Sequence, residues 1–399
     1  MHPKEDIQKS AAKALNALLT NYFPVSSKGP SSRLQNRVVD KYVSIVQTED
    51  NPAATRGFTL ALGHLPAKLL APSCEVLDSV LECLCNASKK EGLVGGEGDA
   101  ETRRNAIISL VNVCTTVGIK EMPSFSQAET ASPIYPLSRK QTDKVFHSLL
   151  AAMEDYNTDR RGDVGSWSRI AAMDGLEALT TLAIEASTTF PHSGQRFATN
   201  LGHHKEVIAP TFQKRLDFLQ TDVSTDIRDS LSQERVVFFD EHMCSQVLSS
   251  MLKQLGEKLD VVRCKAGDCL ERLLTNDCPR LPFVPYRHML VQALSLHNRG
   301  KNWADPTLTF PLLMKAVNID EFTEPILSGI VISVGGLTES VSKSSTASLF
   351  EWIRGLRTAK ATPKLFRVGE GEFLCSSHNT KSLSQCISIL LTSQLVIVL

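Results

Sequence analysis

The stretch Arg169-Ile170-Ala171-Ala172-Met173-Asp174-Gly175-Leu176 indicates the architecture of this chain, because it carries the pattern Arg-x-x-Ala-x-x-x-Leu. The pattern returns from Arg103 and from Arg263, and a partial copy with Thr59 in place of alanine begins at Arg56. Its spacing puts the three side chains along one helix face. Successive copies start 47 (103 minus 56), 66 (169 minus 103) and 94 (263 minus 169) residues apart, and 94 is twice 47. The chain is therefore predicted to repeat one helical unit.

Each position of the pattern has a physical role in a stack of helical repeats. A small alanine lets a neighbouring helix approach, and leucine fills the seam between helices. An arginine near the helix start can pair with an aspartate of the preceding turn or of the next repeat, and Asp260-Val261-Val262-Arg263 is the clearest case of such a turn. A period of about 47 lies at the upper end of the HEAT and armadillo range. We predict an all-α, HEAT/armadillo-type helical-repeat solenoid.

Other local signals agree with this prediction. Apolar residues within 76–84, 145–153 and 247–255 each follow one helix face. Asn51-Pro52 reads as a helix cap followed by proline at the first helical position. The Pro- and Ser-rich segment 123–133 is expected to be an inserted loop that absorbs the excess in the gap of 66 residues.

A glycine pair, Gly335-Gly336, interrupts a helical apolar pattern. Two glycines inside a helix lower its stability relative to alanine, so we predict a close helix-helix crossing there. A partner that binds at the pair is the alternative.

Composition restricts the class of protein. The chain has 43 basic and 43 acidic residues, and this balance argues against nucleic acid as the main partner, which would need a basic excess. The ten cysteines lack metal or redox spacing and read as core residues in a reducing, cytosolic compartment. The apolar end, Leu395-Val396-Ile397-Val398-Leu399, falls short of the roughly 20 apolar residues of a membrane span. We expect a poorly ordered tail and no membrane span.

Signals of catalysis are weak throughout. The glycine-rich segment 91–99 lacks the lysine of a phosphate-binding loop. His203-His204 and His242-Met243-Cys244 lack the spacing that puts two metal ligands on one helix face. Glu154-Asp155 is expected to be solvated. We predict no enzyme activity and no catalytic, cofactor-binding or metal-binding residues. The tryptophans are interpreted as staples between repeats, with partner contacts as the alternative; they are Trp167, Trp303 and Trp352.

Three segments, in order along the chain, resemble the tubulin-folding cofactor D (tubulin-specific chaperone D) family. They are residues 51–63, Asn-Pro-Ala-Ala-Thr-Arg-Gly-Phe-Thr-Leu-Ala-Leu-Gly; residues 161–167, Arg-Gly-Asp-Val-Gly-Ser-Trp; and residues 332–351, which contain Ser-Val-Gly-Gly-Leu-Thr-Glu-Ser. The resemblance covers roughly residues 1 to 358 and concerns the C-terminal part of the family. It divides the chain into a solenoid over 1–358 and a divergent, disordered tail over 359–399.

The resemblance implies a non-catalytic chaperone that binds β-tubulin after its release from the cytosolic chaperonin. With cofactors C and E, the family takes part in αβ-tubulin heterodimer assembly and disassembly and in microtubule organisation. It also implies an Arf-like small GTPase as a partner, stimulation of GTP hydrolysis by tubulin in the full complex, and a location in the cytoplasm and at the cytoskeleton, including centrosomes and cell junctions.

Two alternatives remain open at this point. One is that this segment presents an arginine to the nucleotide of a GTPase, for which Arg160-Arg161 beside Gly162 is the best candidate. The other is that the chain is an inactive fragment or isoform.

Overall fold

The computed structural model describes residues 2, 4–21, 33–89, 99–120, 134–188, 238–276, 279–297, 300–336 and 338–358. Most residues in these ranges are helical. A β-hairpin with two strands of two residues each and one 3-10 turn (Asp320–Phe322) lie between the helices. The helices are α1 (Glu5–Asn21), α2 (Arg33–Thr48), α3 (Pro52–Leu62), α4 (Ala67–Leu70), α5 (Cys74–Ala87), α6 (Ala100–Val117), α7 (Arg139–Ala152), α8 (Gly165–Thr188), α9 (Glu241–Leu255), α10 (Asp260–Thr275), α11 (Arg287–Ala293), α12 (Pro306–Ala316), α13 (Thr323–Val334) and α14 (Glu339–Thr358). The strands are β1 (Thr158–Asp159) and β2 (Gly162–Asp163).

The helices form two stacked layers. In the first layer α2 packs against α5, α5 against α7, α7 against α9, and α9 against α13. In the second layer α3 packs against α6, α6 against α8, and α8 against α10. Each second-layer helix also packs against the first-layer helix that precedes it, so each unit is a helical hairpin. The predicted all-α helical solenoid is confirmed.

The repeated pattern faces the core between these layers. Ala106, Ala172 and Ala266 have no exposed surface, and the leucines that follow them are equally buried. One hydrophobic cluster runs from α2 to α14 without division. Burial of a full leucine side chain contributes about 1.5 to 3 kcal/mol, so the pattern stabilises every interface between neighbouring repeats.

The helix starts are capped by short polar side chains. Asn51 Oδ1 accepts a hydrogen bond from the Ala53 N–H at 3.0 Å, and Pro52 occupies the first helical position, as predicted. Ser138 and Gln141 form a capping box at the start of α7. Asp99 and Asp240 cap α6 and α9 by accepting a hydrogen bond from the N–H of Thr102 and of Met243. These caps fix where each repeat turns.

The spacing of 94 residues between Arg169 and Arg263 does not reflect two repeats, as its relation to 47 suggested. Helix α10 packs directly against α8, so the two copies belong to neighbouring units. Several other predicted segments lie wholly or largely outside the described residues: the loop at 123–133, the glycine-rich segment 91–99, His203-His204 and the tail 359–399. The predicted boundary at residue 358 therefore stays a prediction.

The prediction of a helix crossing at Gly335-Gly336 is wrong. Helix α13 ends at Val334 and Gly335 is its C-cap, where a built Cβ would meet nothing within 4 Å. The crossing lies six residues earlier, at Gly329, where a Cβ would come within 2.2 Å of the Lys253 carbonyl oxygen. Gly256, at the end of the facing helix α9, is equally restricted, because a Cβ built on it would lie 2.7 Å from the carbonyl carbon of Gly329. Apolar spacing located the right helix but not the residue in contact.

None of the described helices has the length and apolar character required to cross a membrane.

Substitution of Gly329 with alanine tests this contact. The added methyl group would clash with the main chain of α9, which cannot move as a flexible side chain can, so we expect a loss of about 1 to 3 kcal/mol of unfolding free energy. The matched control is Gly355→Ala in α14, where a Cβ meets nothing within 4 Å and a gain of about 0.5 to 1 kcal/mol is expected. Urea denaturation of both variants provides the measurement, and equal midpoints would contradict the crossing.

Candidate functional site

Four arginines of the second layer form a row at the turns between paired helices. We call Arg56, Arg103, Arg169 and Arg263 the arginine ladder; they lie on α3, α6, α8 and α10. The repeat pattern puts each of them in the first turns of its helix, beside the turn that joins the two helices of one unit. The ladder therefore marks the edge of the solenoid at which the units meet.

Arg56 connects its own unit to the next one. Its Nε and Nη2 atoms each donate to a carboxylate oxygen of Asp99 at 2.6 Å, and Nη2 lies 3.2 Å from Glu101 Oε2. Burial alone would raise the pKa of Asp99, but hydrogen bonds from Arg56 and from the Thr102 N–H and hydroxyl hold it at about 2. Asp99 stays ionised at neutral pH, and so it both caps α6 and anchors the preceding repeat.

The middle of the ladder is fully buried. Arg103 Nε lies 2.9 Å from Asp155 Oδ2, and both side chains are less than a tenth exposed. Arg169 has no exposed side-chain surface; it donates to the Asp155 carbonyl at 2.6 Å and pairs with Asp163 at 3.0 Å. It also lies 3.5 Å from Glu257 Oε1, which follows α9 and is itself completely buried. Three consecutive units thus share one ionic network.

Two members of this network differ from what the sequence predicts. Asp155 is 8% exposed and pairs with Arg103, so the expectation of a solvated Glu154-Asp155 pair is wrong for Asp155. Glu257 was missed altogether, because a single glutamate before a helix carries no pattern that predicts burial. Only the packing of α8 against α10 brings it next to Arg169.

Arg263 differs from the predicted turn. Its guanidinium donates to the carbonyl oxygens of Glu257, Lys258 and Ala304 at 2.9, 2.8 and 2.6 Å rather than to the Asp260 carboxylate. Burial lowers the pKa of Arg263, which the charge of Asp260 partly opposes. Arg263, the last arginine of the ladder, therefore connects main-chain segments and does not form an ion pair.

The β-hairpin beside the ladder holds Arg161 rigidly. Arg161 donates to Asp159 at 2.7 and 2.9 Å and to Glu101 at 2.7 Å. Its guanidinium lies 4.9 Å from the Trp167 ring centroid. Gly162, with φ of 103°, permits the tight turn. Arg160 at the tip is exposed, and among the described residues it has no ion-pair partner. The Arg160-Arg161 pair therefore supplies one restrained arginine and one that faces solvent.

Two of the tryptophans pack against the core, as the structural interpretation expected. Trp303 is 2% exposed, and a Cβ built on Gly267 of α10 would lie 2.3 Å from its ring. Trp352 packs against the core from α14. Trp167 is partly exposed and stacks with the guanidinium groups of Arg104 and Arg161, so it stabilises the hairpin edge.

One cluster of potential metal ligands arises only in three dimensions. Asp174, Glu177 and Cys269 bring ligand atoms within 4.8 Å of one another. Arg272 donates to both oxygens of Glu177, and Lys265 pairs with Asp174. Burial, followed by the charge of Glu177, raises the pKa of the Cys269 thiol. The carboxylates already have cationic partners and the thiol keeps its proton, so the arrangement favours an interhelical ion-pair network.

Removal of the central ladder charge should destabilise the fold strongly. Arg169→Met leaves Asp163 and Glu257 buried without their cation, and breaking such a pair costs about 3 to 5 kcal/mol. Lys343→Met is the control, because the Lys343–Glu339 pair is exposed on both sides and such pairs contribute little. Thermal unfolding of the two variants checks the difference, and a melting temperature for Arg169→Met equal to that of the control would refute it.

Comparison with known proteins connects this architecture to one family. Residues 245–397 match the family model described as "Tubulin folding cofactor D C terminal". The chain is similar to "Tubulin-specific chaperone D" of Dictyostelium discoideum, with 24% identity over 362 residues that cover 88% of this chain. That alignment covers 22% of the relative, so the chain spans a minor part of its length.

The family match begins within α9, includes α10 to α14, and continues past residue 358 to residue 397. It therefore includes most of the segment where we expected divergence. The longer alignment extends the similarity over most of the chain. The two comparisons thus confirm the resemblance, predicted from three sequence segments, to the C-terminal part of tubulin-folding cofactor D.

Proposed function

We propose that this chain is a non-catalytic scaffold of the tubulin-folding pathway. It holds β-tubulin after release from the chaperonin and assists αβ-tubulin heterodimer assembly and disassembly, and through this microtubule organisation. The match of residues 245–397 to the cofactor D C-terminal family is the observation that carries this proposal. The proposed partners besides β-tubulin are cofactors C and E and an Arf-like small GTPase, in the cytoplasm and at the cytoskeleton, including centrosomes and cell junctions.

The physical basis of a scaffold is a broad surface with fixed geometry. Repeat solenoids offer such surfaces because each unit contacts its neighbours and leaves one side of a layer open. Here the open side of α6 and α8 carries a surface groove of about 460 Å³ lined by Thr115 and by residues of α8. Its lining includes the carboxylates of Asp174, Glu177 and Glu185, and Asp268 is exposed on the adjacent helix α10. The buried ladder keeps these helices at constant spacing, so a partner meets a surface that is already ordered.

Binding of tubulin to the purified chain tests the proposal. Size-exclusion chromatography with light scattering should show co-elution with αβ-tubulin, and the variant Asp268→Lys should weaken it about tenfold through charge reversal on the second-layer face. Glu75→Lys on α5 reverses a charge on the other layer and should leave co-elution unchanged. A monomer that does not co-elute with tubulin would favour the alternative that this form is an inactive fragment.

A second candidate function is a contribution to GTPase activation of tubulin within the cofactor complex. The observation in its favour is the exposed Arg160 at a hairpin tip that the bridges of Arg161 hold in place. An activating arginine needs access to the developing charge on phosphate, and a firm support reduces the entropy lost on docking. Arg161 is also exposed, but its donors are committed to Asp159 and Glu101.

The two hairpin arginines can be separated by experiment. If the tip acts on nucleotide, Arg160→Ala should lower tubulin GTP hydrolysis in the reconstituted cofactor mixture by about a thousandfold or more, without a change in melting temperature. Arg161→Ala should instead lower the melting temperature. Hydrolysis that is unchanged in Arg160→Ala would remove this candidate and leave the scaffold proposal intact.

A further inference from the structure

An exposed apolar cluster lies at the connection between α10 and α12. Eight large apolar side chains of the described residues are notably exposed, and three of them fall within seven residues of one another: Phe283 (52%), Tyr286 (61%) and Met289 (48%). Burial of large aromatic side chains dominates the energetics of protein interfaces. An exposed apolar cluster of this kind indicates a contact surface, whereas single exposed apolar side chains do not.

Two residues of the cluster have a strained backbone. Phe283 has φ of 56° and Tyr286 has φ of 48°, which is the left-handed region that bulky side chains rarely adopt. Such a conformation costs about 1 to 3 kcal/mol and persists only where the surroundings enforce it. Neither aromatic ring is buried, so the fold does not recover this cost through core packing of the rings.

The surroundings that enforce the conformation are on either side of the two residues. The Cys244 thiol lies 3.4 Å from the Pro282 carbonyl oxygen, to which it donates. Arg287 donates to the Leu274 carbonyl at 2.7 Å and to the Leu281 carbonyl. Leu281 and Leu290 are buried in the core. The chain is thus anchored before and after the cluster, and its side chains are turned towards solvent.

The charge of this segment indicates the chemistry of its partner. Residues 279–304 contain three arginines and one lysine and have no aspartate or glutamate, although the whole chain is neutral. Arg280 is exposed there, as are His288 and His297, whereas Arg287 is half-buried and donates to main-chain carbonyls. Carboxylates lie on the side of α9. Burial raises the pKa of the Cys244 thiol there, and the charges of Glu321 and Glu241 raise it further. The surface therefore combines aromatic and thioether anchors with the exposed guanidinium of Arg280 and one acidic margin.

We propose that the Phe283–Met289 cluster is a docking site for an acidic protein segment that carries aliphatic or aromatic side chains. The apolar side chains of that segment would cover Phe283, Tyr286 and Met289, and its carboxylates would face Arg280 and the neighbouring basic groups. Electrostatic complementarity would set its orientation and rate of association. A protein segment fits better than nucleic acid or a membrane, because the apolar anchors have no phosphate to contact and the basic groups are few. The site is independent of the tubulin surface proposed above.

The test uses the full chain and a fluorescein-labelled peptide in which glutamates alternate with leucine and phenylalanine at helical spacing. Fluorescence anisotropy should show binding that weakens with added salt, and that is lost in a matched peptide with glutamine in place of glutamate. Tyr286→Asn should weaken binding about tenfold without lowering the melting temperature, since asparagine tolerates the left-handed backbone. Met289→Ala should weaken binding in the same direction.

Tyr135→Ala is the control, because Tyr135 is a comparably exposed aromatic residue at a distant turn. Its affinity for the peptide should equal that of the unmodified chain. Equal affinity of Tyr286→Asn and the unmodified chain would overturn the proposal, as would an absence of peptide binding. Tighter binding to single-stranded DNA or to phosphatidylserine vesicles than to the peptide would also overturn it.

Discussion

The ionic network centred on Arg169 is the constraint on which the middle of this solenoid depends. One guanidinium without exposed surface contacts the Asp155 carbonyl and the carboxylates of Asp163 and Glu257. These groups come from the turn before α8 and from the turn after α9. A shift of α8 relative to either neighbour would leave buried charges unpaired, which is far more costly than the loss of an apolar contact. The network therefore sets the register in which the units stack.

The other arginines of the ladder have the same position in their helices but different hydrogen-bond partners. Arg56 uses a capping aspartate of the next helix, Arg103 uses an aspartate of the following turn, and Arg263 uses only main-chain carbonyls. The common element is a cation at the start of a second-layer helix, in reach of acceptors that a turn exposes. This explains why the repeat pattern tolerates variation in its acidic residues but keeps the arginine. It also explains how units of unequal length stack with one geometry.

The same edge of the solenoid determines which surfaces are available to partners. Arg161 and Trp167 are held by the hairpin and by Glu101, so they stabilise this edge, whereas Arg160 remains exposed. Farther along, the close approach of Gly256 and Gly329 joins α9 to α13. The Phe283–Met289 cluster lies in the connection that follows α10, within the range matched to the cofactor D family. The glycine contact and the Phe283–Met289 cluster thus lie on different segments of the chain.

The helical class, the repeat and the buried face of each helix could be predicted from the order of residues alone. These properties follow from local spacing, since Ala106, Ala172 and Ala266 lie one turn from their arginines in any α-helix. The sequence also located the Asn51 cap and the family resemblance. It could not determine which units are neighbours, because the spacing of 94 residues looked like two repeats although α10 packs on α8.

Three features could not be predicted without the packing of the helices: the partners of the ladder, the burial of Asp155 and Glu257, and the glycine contact at Gly329 instead of Gly335-Gly336. Each of these depends on how two distant segments approach each other. Burial of a charge or close contact of two backbones is a property of that approach, and the residues themselves carry no local signal of it. The left-handed backbone at Phe283 and Tyr286 likewise has no local signal in the sequence, because contacts of the residues on either side impose it.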